Sequence, residues 1–128
     1  MSVTVAVIAM GEMGSGVARR LTDRGARVIT SLEGRSGASA ERARAAGVQI
    51  VPDDNALVAE ADFVLSIVPP ARAGDLAGRL LPAIQAANPR AVYVDCNAIA
   101  PQTMTAIAAP FAAAIAVMVW GAMALQST

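Results

Sequence analysis

Histidine and lysine are both absent from the 128 residues, and every one of the ten basic residues is arginine. Losing histidine removes the commonest general base and the commonest metal ligand. Arginine stays protonated near neutral pH, so it moves protons poorly but grips phosphate well. There is one cysteine, Cys96, which excludes an internal disulfide and makes a zinc site improbable. It points to a reducing compartment, and the expected location is cytoplasmic. Ten acidic residues balance the ten arginines, so nothing global suggests nucleic acid or an anionic membrane. No basic segment precedes the apolar run in "MSVTVAVIAM", so no secretory signal is expected. The chain is equipped to hold an anion and poorly equipped to move protons.

What is present is an alternation. "VTVAVIA" (3–9), "ARVITS" (26–31), "VQIV" (48–51), "ADFVLSIV" (61–68) and "AVYVD" (91–95) read as strands. Between the first two, Gly14, Val17, Ala18 and Leu21 share a helical face, and Gly25 can end that helix. "LEGRSGAS" (32–39) reads as a turn-rich loop, and "AERARAAG" (40–47) as a short helix closed by Gly47. Asp53 or Asp54 can cap a helix through Leu57 and Val58. Residues 72–87 place Leu76, Leu80 and Ile84 on one stripe, with Gly78 and Pro82 as weak points. Pro101 suits the first position of a further helix. The alternation predicts an α/β fold: a Rossmann-like doubly wound parallel sheet of about six strands, with helices on both faces. The length fits one domain, residues 1–128.

The first strand runs into "AMGEMGSG", with glycines at 11, 14 and 16. In a doubly wound sheet this turn is where ligands bind. A helix N-terminus offers unpaired N–H groups and partial positive charge, and glycine lets a pyrophosphate approach them. The usual fingerprint has a third glycine where Ala9 stands here. The plainer reading is that the glycines only permit a tight turn and close packing. At the end of the second strand, Ser31, Arg35 and Ser36 suit a ribose 2′-phosphate, whereas Glu33 in the same loop would suit a free ribose. NADP is therefore expected, with NAD as the alternative.

Together "VIAMGEMGSGVARRL", "GRS", "DFVLSIVPP" and "VYVDCNAIAP" resemble the N-terminal half of β-hydroxyacid dehydrogenases. That group includes 6-phosphogluconate and 3-hydroxyisobutyrate dehydrogenases, and the wording is nearest its bacterial NAD-binding-domain proteins of unassigned substrate. The resemblance covers about residues 3–110. It implies that Met10, Gly11, Glu12, Met13 and Gly14 line the pyrophosphate, with Arg35 and Ser36 at the adenosine ribose. It places Val68, Pro69 and Pro70 against the cofactor, and Asn97 near the nicotinamide. Pro69 and Pro70 could instead simply terminate a strand, and Asn97 could cap the helix near Pro101. Cys96 reads better as a small core residue than as a nucleophile, since no base is available to activate it.

The resemblance also implies a long helical domain carrying a catalytic lysine, and this chain has neither. No catalytic or metal-binding residue is therefore assigned. The expected function is the NADP(H)-binding domain of such an oxidoreductase, not catalytically complete alone. The alternative is a non-catalytic dinucleotide sensor working through a partner. Residues 96–128 carry no charge. "AIAAPFAAAIAVMVWGAMAL" (106–125) has the length of a membrane span, but nine alanines, Pro110 and bare flanks argue against one. A helix to about Ala109 and a sixth strand in "AIAVMVW" fit better. The divergent apolar tail, 111–128, would then favour self-association or a partner chain.

Overall fold

The computed structural model describes residues 3–8, 11–32, 37–97, 102, 106, 109 and 114–117, with backbone only at Glu12, Pro70 and 114–117. Six parallel strands form one sheet: β1 (Thr4–Ile8), β2 (Arg27–Ser31), β3 (Gln49–Val51), β4 (Phe63–Ser66), β5 (Val92–Asp95) and β6 (Ala114–Val117). Their order is β3-β2-β1-β4-β5-β6. The chain builds outward from β1 in one direction, returns, and builds outward in the other. The expected fold class holds, including the sixth strand. The helices are α1 (Glu12–Asp23), α2 (Gly37–Ala45), α3 (Asp54–Glu60) and α4 (Pro70–Ala87).

Both faces of the sheet are covered, which is why the strands read as continuous apolar runs. One core joins Ala6, Ile8, Ile29, Val64 and Tyr93 to Leu57, Val58, Leu76, Leu80 and Ile84 of α3 and α4. The other joins Val5, Val7, Val28 and Val94 to Ala18 and Ala43 of α1 and α2. Alternate residues of each strand supply opposite cores, as the two-residue period of a strand requires.

Gly25 and Gly47 follow α1 and α2 with φ of +94° and +76°, the left-handed region that ends a helix cheaply. Asp53 caps α3, its Oδ1 accepting from the Ala56 N–H at 2.8 Å. Three expectations are corrected. First, α2 begins at Gly37, so the expected loop to residue 39 is shorter. Second, β4 ends at Ser66, before the prolines; Pro69 is the N-cap of α4 and Pro70 its first residue. Proline's fixed φ and missing N–H suit a helix start, so the pair opens α4 and does not terminate β4. Third, α4 runs unbroken through Pro82. The carbonyl at Gly78 loses a helical partner there, but both residues are exposed and water can replace it. Within the helix expected from Pro101, Gln102 and Ala106 are described, and both are helical. In residues 106–125, β6 occupies the centre of the apolar stretch, and no described helix is long and apolar enough to cross a membrane.

Candidate functional site: the crevice above β1, β4 and β5

The strand order reverses between β1 and β4, and the carboxyl ends of those strands open a crevice there. Gly11 follows β1 as the N-cap of α1, with φ −80° and ψ −170° and no side-chain capping bond. It is exposed, and a Cβ built on it would meet nothing within 4 Å among the described residues. The first N–H groups of α1 therefore have no capping side chain from Gly11, unlike those of α3. Gly14, one turn in, is buried, while Gly16 is exposed with open space around it. The three glycines thus have different circumstances: Gly11 bares the helix end, Gly14 lies in the packed interior, and Gly16 has no steric demand. Met13 lies in the first turn of α1 and is 63 % exposed, a large apolar side chain left in solvent.

Ser31 ends β2 and is buried. Arg35, Ser36 and Met10 lie outside the described residues. Val68 is half-buried and Pro69 exposed in the turn that leads from β4 into α4. Beside that turn, Val68 with Arg72, Asp75, Leu76 and Arg79 of α4 lines an open groove of about 270 Å³. Arg79 is paired with Asp54 of α3 at 3.0 Å.

Asn97 is 4 % exposed, and its amide is engaged inside the protein. Its Oδ1 accepts from the Val68 N–H at 2.8 Å, and its Nδ2 donates to Ser66 Oγ at 2.9 Å. Its backbone N–H donates to Asp95 Oδ1 at 2.8 Å. Sequence reasoning missed Asp95, Ser66 and Tyr93, which gather under the crevice on the α3–α4 side of the sheet. Asp95 and Ser66 are directly paired in the β4–β5 register, and all three are fully buried. Asp95 Oδ2 and the Tyr93 hydroxyl have no hydrogen-bond partner among the described residues. Burial pushes the Asp95 carboxyl above the usual carboxylate range, and hydrogen bonding from Asn97 opposes that shift. Burial likewise drives the Tyr93 phenol far up; Ser66 is near enough to ease the shift but makes no well-formed bond. The Cys96 thiol is raised first by burial and then by Asp95, so it is a poor nucleophile. The signal that was available for this cluster was an acid ending an apolar strand in "VYVD".

Asp95→Asn tests that electrostatic picture. A carboxyl with a higher pKa in the fold than in the unfolded chain binds its proton longer when native. Stability must then fall as pH rises from about 4, the unfolded value, through the raised native value. The amide keeps the oxygen that accepts from Asn97 and carries no charge. Asp95→Asn should therefore flatten the pH dependence of stability, gaining on the native chain as the pH rises from about 4 to about 7. Denaturant unfolding at pH 4 and pH 7 reads this; a variant whose deficit grows from pH 4 to pH 7 would mean the native carboxylate is ionised and well held.

Reversed strand order, an uncapped α1 and an open glycine at its head define a dinucleotide-binding domain of the doubly wound class. The chain belongs to the family described as NADP oxidoreductase, coenzyme F420-dependent, which matches residues 4–99. It is similar to a solved conserved protein of unknown function described as structurally similar to 3-hydroxyacid dehydrogenases. That likeness has 34 % identity and a TM-score of 0.68, covering 85 % of this chain and 39 % of that one. A conserved hypothetical protein from Sinorhizobium meliloti shares 29 % identity at a TM-score of 0.74, covering 91 % and 40 % respectively. The 3-hydroxyisobutyrate dehydrogenase of Mycobacterium tuberculosis, solved with L-serine, shares 25 % identity at 0.72, covering 91 % and 39 %. No curated protein matches the chain. The chain spans about 40 % of the length of these solved relatives. It is the nicotinamide-dinucleotide-binding domain of hydroxyacid-dehydrogenase-like proteins.

Proposed function

We propose that this chain binds NADP(H) in preference to NAD(H), as the cofactor domain of a β-hydroxyacid-dehydrogenase-like oxidoreductase. The observation that carries the reading is the bare N-terminus of α1 behind Gly11, set where the strand order reverses. The pyrophosphate would lie along the backbone of Met10, Gly11, Glu12, Met13 and Gly14. Ser31, Arg35 and Ser36 would surround the ribose 2′-phosphate, and the turn of Val68, Pro69 and Pro70 would form the facing wall. Hydride transfer belongs to the cofactor, but a proton must also move. With neither lysine nor histidine in the chain, turnover would need groups from outside residues 1–128. That same lack favours the second reading, a dinucleotide sensor that acts through a partner. In either case residues 111–128 are proposed as the segment through which the domain meets a second copy or a partner chain. A single buried cysteine suits a cytoplasmic setting.

Side-by-side calorimetric titration with NADPH and NADH is the test. The native chain should bind NADPH more tightly. Arg35→Ala should weaken NADPH by roughly tenfold or more, the loss of a charge-assisted pair, and NADH by far less. Equal losses would contradict contact with a 2′-phosphate. Failure of the native chain to bind either nucleotide would overturn the reading itself.

A further inference from the structure

We infer that Asn97 is a positioning residue for the dinucleotide crevice: it clasps the turn after β4 to the end of β5 and so sets the height of the crevice wall. The inference rests on the dinucleotide-binding reading and deepens it, because it gives Asn97 a role other than direct contact with the ligand.

The need for a clasp follows from the chain. The ladder of β4 runs out at Ser66. Its last outward tie to β1 is the Ile67 N–H, which donates to the Ile8 carbonyl. Val68 comes next, and Pro69 and Pro70 after it have no N–H to give. The Val68 amide is therefore the last backbone donor before the body of α4. Asn97, two residues past the end of β5, takes that donor at 2.8 Å. Val68 is half-buried, and an amide left unmet there would still carry a cost, which favours the bond.

The clasp is held from below at two points. Ser66 Oγ receives the Asn97 Nδ2, and Asp95 Oδ1 receives the Asn97 backbone N–H. The Cys96 N–H also donates to the Ser66 carbonyl at 3.0 Å, so the ends of β4 and β5 are already in register beneath it. Downstream, Pro69 is fixed at φ −55° and ψ 140°. Val68 is thus pinned by Asn97 on one side and by a stiff proline pair on the other. Val68 also lines, with Arg72, Asp75, Leu76 and Arg79, the open groove beside the turn. A wall fixed before the ligand arrives spares the ordering cost of binding.

The test is a double-mutant cycle on dinucleotide affinity, with Asn97→Ala, Ser66→Ala and both together. NADPH is the titrant, measured by calorimetry well below each variant's thermal midpoint, with amide hydrogen exchange followed at Val68. Asn97→Ala should weaken NADPH about tenfold and Ser66→Ala about threefold, and the double variant should be no worse than Asn97→Ala within about twofold. Exchange at Val68 should quicken at least about tenfold in Asn97→Ala, while amides in the middle of β1 and β4 keep their protection. A part confined to overall stability would lower the midpoint and leave both the folded-state affinity and the Val68 rate alone, which would overturn the inference. Multiplicative losses would overturn it too, since the two side chains would then act separately. Should Asn97→Ala fail to fold, Ser66→Ala decides: unchanged affinity and unchanged Val68 exchange would sink the clasp. The native titration separates the two levels, because a native chain that binds no dinucleotide removes the parent reading, whereas native binding with an indifferent Asn97→Ala removes only this one.

Discussion

Gly11→Val is expected to leave the chain within about 1 kcal/mol of native stability and to cost about 100-fold or more in affinity for NADPH and NADH alike. The two halves of that result come from different facts. The backbone of Gly11 sits at φ −80° and ψ −170°, which any residue adopts, so the position does not require glycine for conformation. A Cβ there meets nothing within 4 Å among the described residues, so none of them resists it. Replacing glycine where no strain results narrows the unfolded ensemble, worth about 0.4–1 kcal/mol, and this offsets the poorer N-cap that valine makes. The space a valine would fill is nevertheless the approach to the uncapped amides of α1. A pyrophosphate needs those amides within hydrogen-bond distance, and a branched side chain at the helix head keeps it out. Thermal unfolding and calorimetry on the same sample read both effects. If Gly11 were only a turn glycine, the substitution would cost stability and leave affinity in the folded molecule unchanged.

The sequence carried the architecture because each strand is buried on both faces and reads as a β-branched run between helix-ending glycines. Gly25 and Gly47 could be placed as helix ends from their positions alone, and both have positive φ. Even β6 was legible, although an alternative helical reading covered the same residues. Boundaries were less so. Nothing in "SIVPP" says whether the prolines close a strand or open a helix; the tie from Ile67 to Ile8 and the Asn97 clasp settle that, and both are long-range. The glycine loop was visible as a place where a backbone must be approached. The separate circumstances of Gly11, Gly14 and Gly16 were not, because they depend on which side of α1 meets the sheet. The cluster under the crevice was least legible. Asp95 reads as a strand end and Ser66 as an interruption in an apolar run. Only the parallel register of β4 and β5 sets them opposite each other, and it is Asn97, 29 residues beyond Val68 in the chain, that joins the loops above them.

Gly14→Val is expected to behave in the opposite way to Gly11→Val. Three residues separate the positions, and the same side chain is added. Gly14 is buried, and it lies on the face of α1 that also carries Ala18, a fully buried member of the core between α1, α2 and the sheet. Small residues on that face let the helix lie close to β1. A valine there must push α1 away from the sheet or force neighbours off their rotamers, at about 1–3 kcal/mol or more. Stability should fall by that amount, and binding should fail as well, since the helix N-terminus that presents the amides moves with the helix. Both nucleotides should be lost together, by about 100-fold or more, because the pyrophosphate is common to them. The comparison of the two variants is more telling than either alone. One keeps the fold and loses the ligand; the other loses both. A Gly14→Val chain with native stability and native affinity would place the ligand away from α1. A Gly11→Val chain as destabilised as Gly14→Val would make the loop a packing feature and leave the uncapped helix end without a ligand.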